Sequence, residues 1–435
     1  MLIEFKVKNF RSLRNEQTLS LVATKDKSLQ ELNTLPSGIK AAPLLLRSAA
    51  IYGPNAGGKS NLLKALQYMR AVVLESASVM QPGQVFNLQP FRFGATAMTQ
   101  PTEFEVTFIL DGVRHQYGFE LTAQRITKEY LLVYKAFKPQ QWFERYYDQA
   151  SGKDVYDFGN GLKGPKTVWE GATRPNALFL SMAVQLNSEQ LSPVFAWFVN
   201  QLTVFNEITP LGQHVAVEML RNLEGKRAIC DFLTSADISI SDIEVVTRKI
   251  SGKAVHVDIA AGKTEVHNEE QEISELLFHH ASDQGKAVFS LGDESMGTRN
   301  LLFLSGPVLD ILAKGTTLVV DELDSSLHPL LVRRLVELFQ SPSVNTNGAQ
   351  LIFTTHDTSL LDPELFRRDQ IWFIEKDSDQ ASKLYPLSDF SPRKNEALER
   401  GYLMGRYGAL PFFSEIEKQH RWQVITHPKS DNAHT

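Results

Sequence analysis

The chain has 435 residues, 43% hydrophobic and 22% charged, which suits one or two domains with packed cores. Its 45 Lys and Arg against 50 Asp and Glu leave a net charge of -5, which excludes a globally basic nucleic-acid coat and confines any DNA contact to a local patch. A single cysteine, Cys230, excludes an internal disulfide and a multi-thiolate metal centre, and reads as a small buried apolar residue in a reducing compartment.

At the N-terminus, Ile3, Phe5 and Val7 alternate with Glu4, Lys6 and Lys8, the period of a strand with one buried face. Charges spaced through this opening argue against a signal peptide, and no apolar run reaches the roughly 18 residues that span a bilayer, so a soluble, cytoplasmic chain without membrane contact is expected. Apolar Ala49 to Tyr52 lead into Gly53 to Gly58, after which Leu62, Leu63, Leu66 and Met69 recur at helical spacing, giving strand, loop, helix. From Phe86 to Tyr147, aromatic and β-branched residues with turn signals such as Asp111-Gly112 predict an antiparallel meander. Ser151 to Pro175, dense in Gly, Lys and Asn, predicts an exposed loop or ragged hairpin.

Helical patterns dominate Leu178 to Leu233, with Phe195, Trp197 and Phe198 as core. Two strand-like runs follow, Ile243 to Ile250 and Ala254 to Ile259, joined by Ser251-Gly252-Lys253, and His279-His280 reads as helical. This stretch is expected to form a helical lobe with a small hairpin. The last third alternates: helix Thr298 to Leu312, strand Thr317 to Val320, helix Leu330 to Phe339, strand Gln350 to Thr354 and strand Gln370 to Ile374, which implies a mainly parallel sheet covered by helices. The polar tail after Pro428 is expected to be disordered. The pairs Arg333-Arg334, Arg367-Arg368 and Arg393-Lys394 read as solvated faces, one of which could line a DNA groove.

The strongest chemical signal is Gly53-Pro54-Asn55-Ala56-Gly57-Gly58-Lys59-Ser60, which satisfies the G-x-x-x-x-G-K-S pattern between a strand and a helix. Glycines let backbone N–H groups turn inward around phosphates, Lys59 reaches the β- and γ-phosphates, and Ser60 ligates Mg²⁺. The second signal is the apolar run Thr317 to Val320 ending in Asp321-Glu322: Asp321 suits a Mg²⁺ ligand through water, and Glu322 suits the general base for an attacking water. A later strand ends in Thr354-Thr355-His356-Asp357, so His356 can reach a γ-phosphate, and Ser295 with the N–H groups after Gly297 opens a helix that can bind an anion.

In this order the motifs resemble those of ABC-type ATPases, in the SMC, RecF and OLD-like branch. The resemblance implies an α/β fold: a P-loop NTPase head with a mixed sheet flanked by helices plus an antiparallel β-meander, and an inserted α-helical lobe. Gly53 to Ser60 is then the Walker A motif, Asp321-Glu322 the Walker B motif, Asp324 to His328 the D-loop, His356 the switch histidine, and Ser295 to Arg299 a signature motif in which Met296 replaces the usual first glycine. Lys8-Asn9-Phe10-Arg11-Ser12 also looks like this branch and places Arg11 near the nucleotide, and Gln89 is the candidate for the residue that senses the γ-phosphate beside the metal. The implied site comprises Glu322 and His356 for catalysis; Asn55, Gly57, Gly58, Lys59, Ser60, Asn61, Arg11, Ser295, Gly297 and Asp324 for ATP; and Ser60, Asp321 and Gln89 for Mg²⁺. The expected division is 1–147 and 286–428 for the two parts of the head, 148–285 for the lobe and 429–435 for the tail.

Glu399-Arg400-Gly401-Tyr402-Leu403, continuing to Pro411, resembles the C-terminal segment of stand-alone bacterial AAA-type ATPases of phage-defence and abortive-infection systems, RloA-like proteins among them. That resemblance implies a separately encoded effector, TOPRIM-like or another nuclease, since the chain leaves no room for a fused one. It also implies a head-to-tail homodimer that sandwiches ATP, open to a higher assembly. A RecF-like clamp on duplex DNA and an ATP-stabilised scaffold are the alternatives.

Overall fold

The computed structural model describes residues 1–94, 97–205, 209–258, 263–325, 327–392 and 396–410. Three short strands, Ser48–Tyr52, Thr317–Val320 and Gln350–Thr354, are buried along their whole length, as a parallel sheet covered on both faces requires. They form the middle of a 6-stranded sheet ordered Leu202–Phe205, Thr317–Val320, Gln350–Thr354, Ser48–Tyr52, Ile371–Lys376, Ser382–Pro386, in which the last strand alone runs antiparallel.

Because side chains alternate along a strand, this sheet feeds two cores. Ile51, Val319 and Ile352 point into the first, which is shared with the P-loop helix Lys59–Glu75 and a 7-stranded antiparallel sheet. Ala50, Tyr52, Leu318, Val320, Leu351 and Phe353 point into the second, under the helices Thr209–Leu220, Leu223–Ser235, Met296–Lys314 and Pro329–Gln340. The expected positions Leu62, Leu63, Leu66 and Met69 are the buried stripe of the P-loop helix.

The antiparallel sheet runs Lys153–Phe158, Gln140–Asp148, Ile126–Tyr134, Val113–Leu121, Thr102–Leu110, Leu2–Lys8, Gln17–Ser20. The meander is there, beginning at Thr102, and the Gly-rich stretch after Ser151 supplies its edge strand. Phe195, Trp197 and Phe198 pack on this sheet, Trp197 stacking on Phe108 at 4.2 Å, so they belong to the core of the head.

The segment 148–285 is thus partly head. Lys153–Phe158 and Leu202–Phe205 are edge strands of the two sheets, the second too short between helices to leave a pattern of its own. The remainder of the segment includes a long hairpin, Asp242–Asp258 paired with Lys263–Ser282, extended by Gly285–Ser290. Ser251-Gly252-Lys253 is not a turn: Gly252 pairs with Glu269 inside the ladder. His279 and His280 are likewise on a strand, His280 bonded to Glu294 at 2.7 Å. The basic pairs serve the head itself: Arg367 is buried against Asp369 and the carbonyls of Asp26 and Ser28, and Arg333 bonds Glu337 and Asp362. Arg393-Lys394 and the polar tail lie outside the described residues. No described helix is long and apolar enough to cross a membrane.

Candidate nucleotide site

The P-loop turns at the end of the strand Ser48–Tyr52, and its glycines are where another side chain has no room. A Cβ on Gly53 would sit 2.1 Å from the carbonyl oxygen of Ile374 on the neighbouring strand. Gly58, the N-cap of the helix, has φ +117, and a Cβ there would meet the Ser382 hydroxyl at 2.2 Å. The N–H groups of Asn61 and Leu62 both donate to the Gly58 carbonyl, at 3.0 and 3.1 Å, which leaves those of Lys59 and Ser60 as the open donors of the helix start.

Lys59 is 5% exposed, and its Nζ donates to the carbonyls of Gly53 at 2.8 Å and Pro54 at 3.3 Å. Burial lowers its pKa, while Glu322, Asp321 and Asp324 pull it back up. Among the described residues it makes no ion pair, so a buried cation held by neutral carbonyls faces three nearby carboxylates. This is an environment suited to an anion that arrives with its own metal ion.

Asp321 and Glu322 follow the strand Thr317–Val320. The hydroxyl of Thr354, at the end of the adjacent strand, donates to Asp321 Oδ1 at 2.6 Å and accepts the N–H of Glu322 at 2.7 Å. Glu322 has φ 51, the left-handed region, which costs a non-glycine residue about 1–2 kcal/mol, and its side chain is exposed. The N–H of His356 donates to Asp324 Oδ2 at 3.1 Å, while Asp324 Oδ1 is buried without a hydrogen-bond partner. Burial first, and the charge of Lys59 second, hold the His356 imidazole below its ordinary pKa of 6.5, with Asp324, Glu322 and Asp321 opposing. Lys59, Asp321, Glu322, Asp324 and His356 therefore share one electrostatic site.

The Lys8 to Ser12 stretch is adjacent. Ser12 Oγ lies 2.8 Å from both the Asn61 amide and the Ser382 hydroxyl, and Ser382 Oγ is 2.7 Å from the Gly57 carbonyl. Asn61 is thereby engaged in holding the loop. The N–H of Arg11 donates to the carbonyl of Gln89 at 2.7 Å, so these two candidates are neighbours, and buried Asn9 ties the same turn to the carbonyls of Ala97 and Gln100. Asn55 is exposed on the loop and Ser60 is half-buried at the second helical position.

Ser295 and Gly297 are elsewhere. Ser295 caps the helix Met296–Lys314, its hydroxyl accepting the N–H of Thr298 at 3.0 Å, and among the described residues no hydrogen bond joins it or Gly297 to the P-loop. That helix meets the D-loop instead, through the Asn300 amide and the Ser325 carbonyl at 3.4 Å.

The segment from Glu399 packs behind the switch loop. Thr358 donates to Glu399 at 2.8 Å, the buried Tyr52 hydroxyl to the Asp357 carbonyl at 3.2 Å, and Tyr402 lies 6.0 Å from Tyr52 and stacks on Phe373 at 5.4 Å. A cavity of about 690 Å³ beside it, lined by Ser359, Asp362, Arg368 and Glu399, contains none of the P-loop or carboxylate residues. Sequence reasoning missed Ser12, Ser382 and the hydroxyl of Thr354 as members of the site. Thr354 stands in the motif Thr354 to Asp357 and Ser12 closes the motif Lys8 to Ser12, though neither carries an assigned role there; Ser382 has no local signal.

The P-loop strand is flanked by the strand that ends before His356, with the strand that ends at Asp321-Glu322 next, and an antiparallel sheet shares a core with the P-loop helix: this is a P-loop α/β head. The chain belongs to the family described as "AAA domain, putative AbiEii toxin, Type IV TA system", whose model matches residues 48–362. Among solved structures it is similar to the SMC head domain from Thermotoga maritima, at 14% identity over 88% of this chain and 98% of that one, with a TM-score of 0.42. It is also similar to a Smc head domain with an extended coiled coil bound to the C-terminal domain of ScpA, derived from Pyrococcus furiosus, at 13% identity over 93% and 98% of the two chains, with a TM-score of 0.35. No curated protein matches the sequence.

Proposed function

We propose that this chain binds ATP with Mg²⁺, hydrolyses it, and works as an ATP-gated dimeric switch controlling a separately encoded effector, such as a nuclease, in antiphage defence. The observation that carries the hydrolytic reading is the convergence of Lys59, Asp321, Glu322, Asp324 and His356 on the P-loop.

Ser60 and Asp321 would hold Mg²⁺, with Gln89 a third candidate, and the ion supplies neutralisation of charge on the phosphate oxygens. Lys59 binds the β- and γ-phosphates and stabilises charge that builds between them. Glu322, exposed at the strand end, takes the proton of the attacking water. His356, kept neutral by burial and by Lys59, orients the γ-phosphate from its ring N–H. Asn55, Gly57, Gly58 and Arg11 complete the cradle, Asn61 supports it through Ser12, and Asp324 holds the backbone of His356 in place.

Two features support a second copy of the chain. The helix end at Ser295 and Gly297 is turned to solvent and unconnected to its own P-loop among the described residues, and Met296 beside it is 58% exposed. A head-to-tail pair brings that end onto the partner's nucleotide. Effector control rests on the likeness of the Glu399 to Pro411 segment to defence ATPases and on a family description that names a putative AbiEii toxin of a Type IV TA system.

Glu322→Gln should trap an ATP-bound dimer, seen as a shift in size-exclusion elution with nucleotide retained, and Lys59→Ala should lose nucleotide binding. Hydrolysis by Glu322→Gln at the wild-type rate overturns the assignment of the base. Turnover stimulated by duplex DNA from a partnerless dimer replaces effector control with the DNA-clamp reading, whereas copurification with the product of an adjacent gene, released by ATP, supports effector control.

A further inference from the structure

The hydroxyl of Thr354 has one proton and two polar neighbours. The N–H of Glu322 at 2.7 Å can only donate, so Oγ1 accepts there and directs its own proton to Asp321 Oδ1 at 2.6 Å. The Thr354 carbonyl accepts the N–H of Leu323 at 3.0 Å, so one residue grips three consecutive residues of the Walker B segment from the side. Thr354 is 0% exposed and its strand is in register with the strand Thr317–Val320, so water cannot replace it. With Oδ1 engaged, Asp321 is left with Oδ2, which takes no hydrogen bond among the described residues, and Glu322 is held at its left-handed φ by the same oxygen.

We infer that Thr354 is a positioning residue of this site: its hydroxyl fixes which oxygen Asp321 turns toward the metal and, through the same atom, where the Glu322 peptide begins. The orientation of the metal ligand and that of the base are linked through one side chain. The inference rests on the hydrolytic reading above and goes beyond it, since the Thr354 hydroxyl is engaged by Asp321 and the Glu322 peptide and would act through them.

Thr354→Val removes the hydroxyl and keeps the branched shape, while Thr354→Ser keeps the hydroxyl. For Thr354→Val, kcat should fall and the Mn²⁺ dissociation constant, read by electron paramagnetic resonance in the presence of ADP, should rise, each by about 10- to 100-fold. Nucleotide binding without metal should be unchanged, and Thr354→Ser should recover most of both losses. Equal losses in Thr354→Val and Thr354→Ser, tracking a lowered thermal midpoint, would reduce the residue to packing and overturn the inference. Wild-type Mn²⁺ affinity and kcat in Thr354→Val overturn it as well. Measuring Glu322→Gln alongside separates the two readings. Activity abolished by Glu322→Gln but untouched by Thr354→Val sinks the Thr354 role alone. If activity survives Glu322→Gln, the assignment of Glu322 as the base fails, and the Mn²⁺ measurement still decides whether Thr354 orients Asp321.

Discussion

The hydroxyl of Ser382 lies 2.7 Å from the carbonyl of Gly57, joining the antiparallel edge strand of the parallel sheet to the P-loop. The Gly57 carbonyl can only accept, so it takes the Ser382 proton; the proton between Ser382 and Ser12 then comes from Ser12, which accepts in turn from the Asn61 amide. A chain of four groups thus fixes the loop from outside it. Ser382→Ala leaves the buried Gly57 carbonyl without this partner and should lower stability by about 1–3 kcal/mol in urea denaturation. It should also weaken ATP binding by loosening the cradle. Unchanged ATP affinity in a calorimetric titration would show that the chain supports the fold alone.

The charge state of His356 depends on Lys59. Burial and the nearby ammonium both disfavour the imidazolium, so the folded-state pKa is depressed below the ordinary 6.5. For a depressed histidine the folded state binds fewer protons than the unfolded chain as pH drops through 6.5, so the stability it contributes is full above that pH and is lost below it. ATP turnover that uses the neutral ring should fall only at a pH below 6.5, where the folded-state imidazole takes up its proton. Lys59→Met removes the second cause and should move the midpoint of the His356 titration, followed by the ring proton resonance in NMR, upward toward 6.5. A His356 titration unaffected by Lys59→Met would mean that burial acts alone.

Tyr402 tests how firmly the segment after Leu398 is bound to the switch loop. Its ring packs against Tyr52 and Phe373, and its hydroxyl donates to the Ala409 carbonyl at 2.9 Å. Tyr402→Phe should cost about 1 kcal/mol for the lost hydrogen bond. Tyr402→Ala empties the aromatic stack and should cost about 3–5 kcal/mol by chemical denaturation. Equal costs for the two variants would show that the ring contributes nothing beyond its hydroxyl.

Residues that act through local pattern were readable in the sequence, and those that act across the fold were not. The P-loop, the run Thr317 to Val320 ending in Asp321 and Glu322, and His356 each carry their signal within a few neighbours, because a strand end and a helix start dictate the residues there. Ser382 reaches Gly57 and Ser12 across more than 300 residues of chain, and a lone serine on an edge strand has no periodicity to betray it. Leu202–Phe205 was hidden for a different reason. Four residues between helices are too few to establish a period, and only the pairing with Thr317–Val320 makes them a strand. The hairpin was misjudged because Ser-Gly-Lys is good turn chemistry, which the ladder through Gly252 overrides.

Glu322 combines backbone strain with the proposed role of base, so stability and activity should part there. Its φ of 51 costs an ordinary side chain about 1–2 kcal/mol, and glycine removes that cost while adding roughly 0.5–1 kcal/mol of unfolded-state entropy. The side chain is exposed and makes no ion pair among the described residues, so little packing is lost with it. Glu322→Gly should therefore match or exceed wild-type stability, by up to about 1 kcal/mol, while hydrolysis falls by at least about 100-fold through loss of the base. Glu322→Gln keeps the strained backbone and should lose activity without the gain. Denaturation curves of the three proteins decide the point: if Glu322→Gly is the least stable of them, the left-handed conformation costs less than glycine's added unfolded-state entropy, and the site stores no strain at its base.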